Sequence, residues 1–311
     1  MTIRARGTEK IPQRQPPMLC GTAIYMTQHQ TLQRLMRQTA ERIRMSGVEN
    51  AAFEAAVLLE FCSGKTRTEL MLRGDESAED SLIKSVASCA DRRISGEPLQ
   101  YIVGEWDFLG NPFYVGEGVL IPRPETELLC SLVIGEAKKI KPCVVFDLCA
   151  GSGCIGISVA EACPDARVCA VEKFDGAYAY LTRNIERHGL KNVTSVKADV
   201  LESFEAAGLP VPDIVVSNPP YVKRGELPGL QREVRREPEE ALDGGADGLR
   251  FYRALAEKWF PFVNAGGLMA VECGEGQAAD ISGIFAEKGG AAEVRRDLQG
   301  TERIVIIRKE L

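Results

Sequence analysis

The stretch Val144-Val-Phe-Asp-Leu-Cys-Ala-Gly-Ser-Gly153 decides how the chain folds. Its apolar beginning predicts a buried strand, and the residues from Gly153 to Ala162 predict a helix. Gly151 and Gly153 allow the backbone to turn sharply between the two elements and to approach a ligand closely. Because several kinds of nucleotide cofactor bind at such turns, the stretch alone indicates a cofactor site without identifying the cofactor. The candidate cofactor-binding residues here are Asp147, Cys149, Ala150, Gly151, Ser152 and Gly153.

The same alternation of strand and helix continues toward the C-terminus. Further strands are predicted over residues 167–172, 193–198, 213–217 and 267–272, with a final strand pair ending at 304–307. Further helices are predicted over residues 178–189, 249–260 and 281–288. This alternation predicts an α/β domain over residues 126–311, with a mainly parallel, doubly wound sheet that binds ligands at the carboxyl ends of its strands.

The chain before the sheet has a different pattern. Apolar residues recur at helical spacing between Thr27 and Arg93, and glycines at 47, 64 and 74 interrupt them, which predicts a small domain of four or five helices over residues 26–95. Residues 96–125 are rich in β-forming side chains around turn residues, which predicts a β-hairpin connector. The β-forming side chains include Tyr101, Ile102, Val103, Trp106, Phe108, Phe113 and Tyr114.

Two acidic residues end neighbouring predicted strands. Glu172 can accept hydrogen bonds from both hydroxyls of a ribose, and Asp199 can accept one from an adenine amino group. A single acid at a strand end is more often simply solvated. Together with the glycine-rich turn, however, the two acids favour an adenosine-containing cofactor.

The segment Asn218-Pro219-Pro220-Tyr221 follows another predicted buried strand. Two consecutive prolines have no N–H, so the loop offers carbonyl acceptors on a stiff backbone. The carbonyl of Asn218 and one of these carbonyls can accept both hydrogens of a planar –NH₂ group, and Tyr221 can provide a flat face. This arrangement suits a carboxamide or a nucleobase amine whose nitrogen must be directed at an electrophile. We therefore interpret these four residues as the catalytic and substrate-binding loop.

The composition excludes several classes of protein. The chain has 311 residues, of which 45% are hydrophobic, enough for a substantial core without disulfides or a structural metal. No apolar run approaches the roughly 18 residues of a membrane span. The net charge of −6 gives no overall attraction to a polyanion. We expect no membrane partner, no direct nucleic-acid partner and a monomeric chain.

The ten cysteines are scattered, form no Cys-x-x-Cys pair and are accompanied by only two histidines, so no metal site is predicted. They are interpreted as buried, reduced thiols in a reducing compartment, which predicts a cytoplasmic protein. Residues 1–25 carry four basic residues without an apolar core, which does not fit a secretory signal. We predict a disordered extension there, or translation beginning at Met26.

Several blocks carry a resemblance to a known family. Gly96-Glu-Pro-Leu-Gln-Tyr-Ile-Val-Gly104, Val119-Leu-Ile-Pro-Arg-Pro-Glu-Thr-Glu127 and Asn218-Pro-Pro-Tyr221 resemble the HemK-type peptide chain release factor glutamine N5-methyltransferases. Later blocks around Glu237-Pro238 and Glu272-Cys273-Gly274 are similar too. The likeness runs from about residue 27 to the C-terminus, and the Ile121–Glu127 block is its most specific part.

The resemblance implies a Rossmann-like methyltransferase that uses S-adenosylmethionine. It implies that the glycine-rich turn and Glu172 hold the cofactor, that Asp199 and Val200 flank its adenine, and that Asn218 borders both cofactor and substrate. It also implies that the Asn218–Tyr221 loop holds the glutamine of the Gly-Gly-Gln motif of a release factor, which the N-terminal helical domain helps to engage. Arg123 and Glu125 either order the substrate peptide or form a connecting ion pair, and both alternatives stay open.

The sequence departs from the family pattern at two positions. Cys149 replaces a glycine of the cofactor turn, so a positive φ there would be strained. Lys173 follows Glu172 where relatives have a short polar or β-branched residue, so adenine contacts are expected to differ in detail.

Three other functions compete with glutamine methylation of release factors. An adenine-N6 methyltransferase acting on DNA or ribosomal RNA uses the same Asn-Pro-Pro-Tyr chemistry, but the arginines at 232, 235 and 236 are interleaved with acids, which dilutes a basic surface. A glutamine methyltransferase acting on a ribosomal protein is the second rival. The third is an adenosine-sensing module without activity, for which Cys149 is the one supporting feature.

Overall fold

The computed structural model describes residues 30–202 and 209–310, and the extension predicted over residues 1–25 lies outside them. The N-terminal region of the described chain is helical. Its helices are α1 (Leu32–Met45), α2 (Ala51–Ser63), α3 (Arg67–Leu72) and α4 (Asp80–Ile94). Thr31 caps α1, and Thr66 forms a capping box with Glu69 at the start of α3, which satisfies backbone N–H groups at both helix starts. Apolar stripes of these helices pack into two small cores.

The prediction of β structure over Tyr101–Val103 is wrong. These residues belong to the short helix α5 (Leu99–Val103), which ends where Gly104 adopts a positive φ of 82°. Leu99 and Ile102, three positions apart, are both buried against the helical core. Burial of this one face outweighs the β propensity of the side chains, which is a weak and context-dependent preference.

The predicted hairpin itself is present as β1 (Glu105–Phe108) and β2 (Asn111–Tyr114), paired antiparallel. Its two-residue turn consists of Leu109 and Gly110, with φ values of 50° and 79°. Positive φ at both turn residues matches the right-handed twist of the flanking strands. The hairpin therefore turns tightly, at the energetic cost of one non-glycine residue in the left-handed region.

A seven-stranded sheet forms the centre of the C-terminal region of the described chain. Its strands are β3 (Val144–Leu148), β4 (Arg167–Glu172), β5 (Val193–Lys197), β6 (Ile214–Ser217), β7 (Leu268–Glu272), β8 (Gly290–Arg296) and β9 (Glu302–Lys309). The strand order is β5-β4-β3-β6-β7-β9-β8, and only the β9 pairings are antiparallel. The predicted mainly parallel, doubly wound sheet is confirmed.

Helices cover both faces of the sheet. They are α6 (Pro124–Ala137), α7 (Cys154–Ala162), α8 (Asp175–His188), α9 (Arg250–Lys258) and α10 (Ala278–Ala286). Alternate residues of β3 face opposite cores: Val145 packs with α6 and α7, and Phe146 packs with α9 and α10. Helix α6 was not among the predicted helices, and its first two residues lie in the range predicted as connector.

The order of the strands reverses between β3 and β6. In such sheets the loops at this switch point diverge and leave a crevice at the carboxyl ends of the strands. The glycine-rich turn follows β3 and the Asn218–Tyr221 loop follows β6, so both predicted functional segments border that crevice. Among residues 30–202 and 209–310, no helix is both long enough and apolar enough to cross a membrane.

Candidate active site

A large cavity opens at the switch point, and we call it the main cavity. Its walls bring together predicted site residues from five separate segments of the chain. Of the predicted site residues, it is lined by Arg123, Cys149, Ala150, Gly151, Ser152, Glu172, Asp199, Val200, Asn218 and Pro220. Pro219 and Tyr221 line an adjoining space instead, and Asp147, Gly153 and Glu125 line neither. The structure thus gathers ten of the fifteen candidates around one space and leaves five outside it.

Asp147 lies beneath the glycine-rich turn instead of facing the cavity. Its side chain is fully buried, and Oδ2 accepts a hydrogen bond of 2.8 Å from the backbone N–H of Gly156 on α7. Burial raises the pKa of Asp147 to about 7, although the bond from Gly156 opposes this shift. The carboxylate therefore ties β3 to α7 beneath the turn, and its direct contact with the cofactor stays a prediction.

The raised pKa of Asp147 predicts a pH-dependent effect on stability. Because the folded state holds this proton more tightly than the unfolded chain, the stabilisation is present at low pH and is lost as pH rises toward 7. Asp147→Asn should therefore gain about 2 kcal/mol relative to wild type between pH 5.5 and 8. Urea unfolding of both proteins at the two pH values measures this difference. Equal pH dependence in the two proteins would contradict it.

Glu172 lines the main cavity, and backbone groups already hold most of its carboxylate. Oε2 accepts a hydrogen bond from the N–H of Gly151 at 2.9 Å, and Oε1 accepts from the N–H groups of Lys173 and Phe174 at 2.8 Å each. Three of roughly four acceptor positions of the carboxylate are thus occupied. Glu172 fixes the shape of the glycine-rich turn and keeps one acceptor position for a ligand.

Asp199 lies on the same wall and forms an ion pair with Lys173, with Nζ and Oδ2 2.8 Å apart. Its Oδ1 accepts a hydrogen bond from the N–H of Leu201. Burial by itself would raise the pKa of Asp199, but the hydrogen bonds from Lys173 and Leu201, with the charge of Lys173, outweigh it and lower the pKa. Asp199 is therefore a stable anion. Lys173, where the sequence departs from the family pattern, thus pairs with Asp199, the acid predicted to contact adenine. Its position in the sequence suggested an effect on the adenine contacts.

Cys149 adopts a φ of 61°, the left-handed conformation that the sequence marked as strained for a cysteine. Such a conformation costs a non-glycine residue about 1–2 kcal/mol. We expect Cys149→Gly to be about 1 kcal/mol more stable than Cys149→Ala, because both lose the thiol and only glycine relieves the backbone. Urea unfolding at one pH measures this difference. Equal stability of the two variants would show that the turn stores no such strain.

A second space, which we call the side groove, adjoins the main cavity. Pro219 and Tyr221 line the side groove, whereas Arg123 and Asn218 line both spaces. The backbone carbonyl of Tyr221 accepts a hydrogen bond of 3.0 Å from Nε2 of Gln277, which holds the loop after β6. Burial raises the pKa of the Tyr221 hydroxyl, so the ring is neutral. Asn218 therefore stands where a cofactor and a substrate can meet.

Arg123 is held by Glu237, which the sequence had not singled out as a site residue. Nη2 of Arg123 donates to Oε1 of Glu237 at 2.5 Å, and Oε2 of Glu237 accepts from the N–H of Ile121 at 3.0 Å. Glu237 is only 6% exposed, so this is a largely buried clamp. The clamp joins the segment before α6 to the loop that follows Tyr221. Arg123 thus forms an ion pair, as one predicted alternative has it, and it also borders the groove; its role in ordering a substrate peptide stays a prediction.

The side-chain amide of Asn218 is tied to a buried pair. Nδ2 of Asn218 donates to Oγ1 of Thr126 at 3.1 Å, and Oγ1 donates to Oε2 of Glu272 at 2.6 Å. Thr126 belongs to the Ile121–Glu127 block and Glu272 ends β7, yet neither was predicted as a site residue. The one indication in the sequence that they matter is that both lie in blocks that resemble the family.

The main cavity also has aromatic walls that the sequence did not reveal. Phe174 and Phe251 both line it, and Phe174 remains 36% exposed. Exposed aromatic faces of this kind suit a flat ring such as adenine. Among the residues that the structure describes, no three His, Cys, Asp or Glu side chains are grouped in a way that could hold a metal ion.

Two family models match the chain: "PrmC N-terminal domain" over residues 34–104 and "Methyltransferase small domain" over residues 126–245. The release factor glutamine methyltransferase of Geobacter sulfurreducens is 38% identical over 88% of this chain and 95% of its own length. That of Thermodesulfovibrio yellowstonii is 38% identical over 72% and 81%. Among solved structures, the release factor-specific protein-(glutamine-N5) methyltransferase of Alicyclobacillus acidocaldarius is 31% identical, covers 64% of this chain and 100% of its own, and superposes with a TM-score of 0.41.

Proposed function

Because the chain belongs to the release factor glutamine methyltransferase family, we propose that it methylates the side-chain amide nitrogen (N5) of the glutamine in the Gly-Gly-Gln motif of peptide chain release factors. It is a Rossmann-like, S-adenosylmethionine-dependent methyltransferase. The observation that carries the proposal is the position of Asn218 on the walls of both the main cavity and the side groove.

The main cavity fits S-adenosylmethionine. Glu172 keeps one acceptor position for a ribose hydroxyl, so the two ribose bonds expected from the sequence reduce to one strong bond. Phe174 and Phe251 offer flat faces, and Val200 adds apolar wall, next to the anionic Asp199. When bound, this cofactor supplies an electrophilic methyl group. The small side chains of the glycine-rich turn leave room beside that group.

The Asn218–Tyr221 loop provides what an amide nitrogen needs. Such a nitrogen is a weak nucleophile because its lone pair is delocalised. Oδ1 of Asn218 and a carbonyl of Pro219 or Pro220 accept its two hydrogens, which fixes its direction and stabilises the positive charge that develops on it. Tyr221 packs against the flat amide. No histidine is needed, because the methylated nitrogen is strongly acidic and loses its proton readily.

The side groove is the proposed path of the substrate peptide. Its apolar walls, which include Leu230 and Leu242, flank the guanidinium of Arg123.

Two arginines between the helical region and the sheet region support a protein substrate over nucleic acid. Arg232 donates to the backbone carbonyls of Ile94 and Ser95 at the end of α4, and Arg93 pairs with Glu54 and Glu233. These guanidinium groups connect the helical region to the sheet region, so they are not free to bind phosphates.

The test is a methyl-transfer assay with matched substrates. A release factor peptide containing Gly-Gly-Gln should accept one methyl group, whereas the same peptide with Gly-Gly-Glu and an adenine-containing oligonucleotide should accept none. Methylation of the oligonucleotide instead would favour the adenine-N6 alternative. Methylation of a ribosomal-protein glutamine but of no release factor would move the substrate to that class.

A further inference from the structure

The hydrogen-bonded chain from Asn218 to Thr126 to Glu272 runs from the active site into the protein interior. Thr126 and Glu272 are each only 2% exposed. Thr126 lies in the first turn of α6, and Glu272 is the last residue of β7. The pair is thus shielded from solvent and connects two elements that pack against each other.

The count of hydrogens determines the direction of this chain. The hydroxyl of Thr126 has one hydrogen, and an ionised Glu272 can only accept, so that hydrogen belongs to the bond with Glu272. Oγ1 of Thr126 can then only accept from Asn218. Only the –NH₂ branch of the Asn218 amide can donate, so Oδ1, on the other branch, points away from Thr126. Only this amide orientation gives Asn218 a hydrogen bond to Thr126 while Glu272 is ionised.

We propose that Thr126 and Glu272 are positioning residues which hold Oδ1 of Asn218 toward the substrate amide, and that protonation of Glu272 releases this orientation. The inference rests on the proposed function, because it assigns a purpose to the carbonyl of Asn218. Glu272 lines neither space, and Thr126 lines the main cavity with its hydroxyl occupied by Glu272 and Asn218.

Protonation reverses the chain without breaking it. A proton taken from solvent onto Oε2 of Glu272 lets this carboxyl donate to Oγ1 of Thr126. The hydroxyl hydrogen of Thr126 is then free to donate to Asn218, which favours the flipped amide with Oδ1 toward Thr126. The flipped amide would present –NH₂ to a substrate –NH₂ group, and two donors cannot bind each other.

The surroundings of Glu272 place this change near neutral pH. Burial raises the pKa of Glu272 to about 7, and the hydrogen bond from Thr126 opposes the shift. The charge of Glu125 raises the pKa further, whereas Arg303 and Arg123 lower it. The other titratable groups that interact with Glu272 are Tyr221, Tyr252, Cys154 and Cys273, each of which is neutral because burial raises its pKa. Below about pH 7 the protonated form of Glu272 therefore predominates.

Kinetics with matched variants test the proposal. Wild-type kcat should rise with pH to a plateau with a midpoint near 7, and Glu272→Gln should lose this midpoint. Thr126→Val should lower kcat about ten- to a hundredfold, with the KM for S-adenosylmethionine unchanged, whereas Thr126→Ser should stay within about threefold of wild type. A Thr126→Val enzyme with wild-type kcat, or a midpoint that persists in Glu272→Gln, would overturn it.

A readout without turnover separates this inference from the proposed function. The side-chain amide of Asn218 gives one pair of ¹⁵N–¹H signals, identified by its loss in Asn218→Ala. These signals should titrate with a midpoint near pH 7 in wild type and not in Glu272→Gln. If no glutamine substrate is methylated, the proposed function fails, but this titration still tests whether the hydrogen-bonded chain orients Asn218. Signals that are independent of pH in the wild type would overturn the proposal that Glu272 controls the orientation of Asn218.

Discussion

Replacing Asn218 by alanine is expected to lower kcat for glutamine methylation by about 100- to 1000-fold, the range found when one oriented hydrogen-bonding group is removed from a transition-state site. Asn218 directs its carbonyl at the substrate while its –NH₂ group is held by Thr126. The dissociation constant for S-adenosylmethionine should change by less than about threefold, because Glu172, Asp199 and the glycine-rich turn remain. Single-turnover methylation and calorimetric cofactor binding measure the two quantities.

Asp199→Asn is the matched control for that experiment. Asp199 lines the main cavity but not the side groove, so this variant should weaken cofactor binding and keep kcat at saturating cofactor. The two variants should thus affect opposite parameters. Unchanged single-turnover methylation in Asn218→Ala would remove Asn218 from its proposed role.

Replacing Glu237 by alanine is expected to have the largest effect on stability. The variant leaves the buried N–H of Ile121 without an acceptor and Arg123 without its counter-ion. Breaking a buried pair costs about 3–5 kcal/mol, and the side chain of Arg123 is 28% exposed, so we expect about 3 kcal/mol. The KM for the release factor should also rise, because Arg123 and the loop after Tyr221 border the side groove. Urea unfolding and peptide kinetics measure these effects.

Glu237→Gln separates the two functions of this residue. The glutamine retains an acceptor for the N–H of Ile121 and loses the charge that pairs with Arg123, so it should lose less than half as much stability as the alanine variant. An alanine variant within 1 kcal/mol of wild type would mean that the clamp does not hold the two segments together.

Parallel topology explains why the site could largely be predicted from the sequence. The carboxyl ends of parallel strands meet at one edge of a sheet, so residues that end successive strands come together. Cys149, Glu172, Asp199 and Asn218 all follow or end such strands, and all four line the main cavity. Their positions follow from the periodicity of the strands and the order of the elements.

The finer roles of these acids could not be predicted in the same way. A sequence pattern can identify an acid at the end of a strand, but it does not show how many backbone N–H groups donate hydrogen bonds to that acid. Glu172 accepts three such bonds. It also does not show that Asp147 lies under the turn, with its carboxylate bonded to α7. Each role depends on the path of the loop, which the sequence pattern leaves undetermined.

Long-range side-chain pairs were beyond sequence reasoning for another reason. Thr126 and Glu272 are separated by 146 residues, and Arg123 and Glu237 by 114. A local pattern contains no information about which distant residue completes a hydrogen bond. The error over Tyr101–Val103 has a related cause, because burial against the helical core decided a segment whose local propensity favours strand.

The most direct measurement is tandem mass spectrometry of an unmodified release factor incubated with the enzyme and S-adenosylmethionine, with the side-chain amide of its glutamines labelled with ¹⁵N. We predict one methyl group on the labelled nitrogen of the Gly-Gly-Gln glutamine, and none when Asn218→Ala is used under the same conditions. No methyl group there, with cofactor binding confirmed and the factor shown to be unmodified beforehand, would contradict the assignment of this chain as a release factor glutamine methyltransferase.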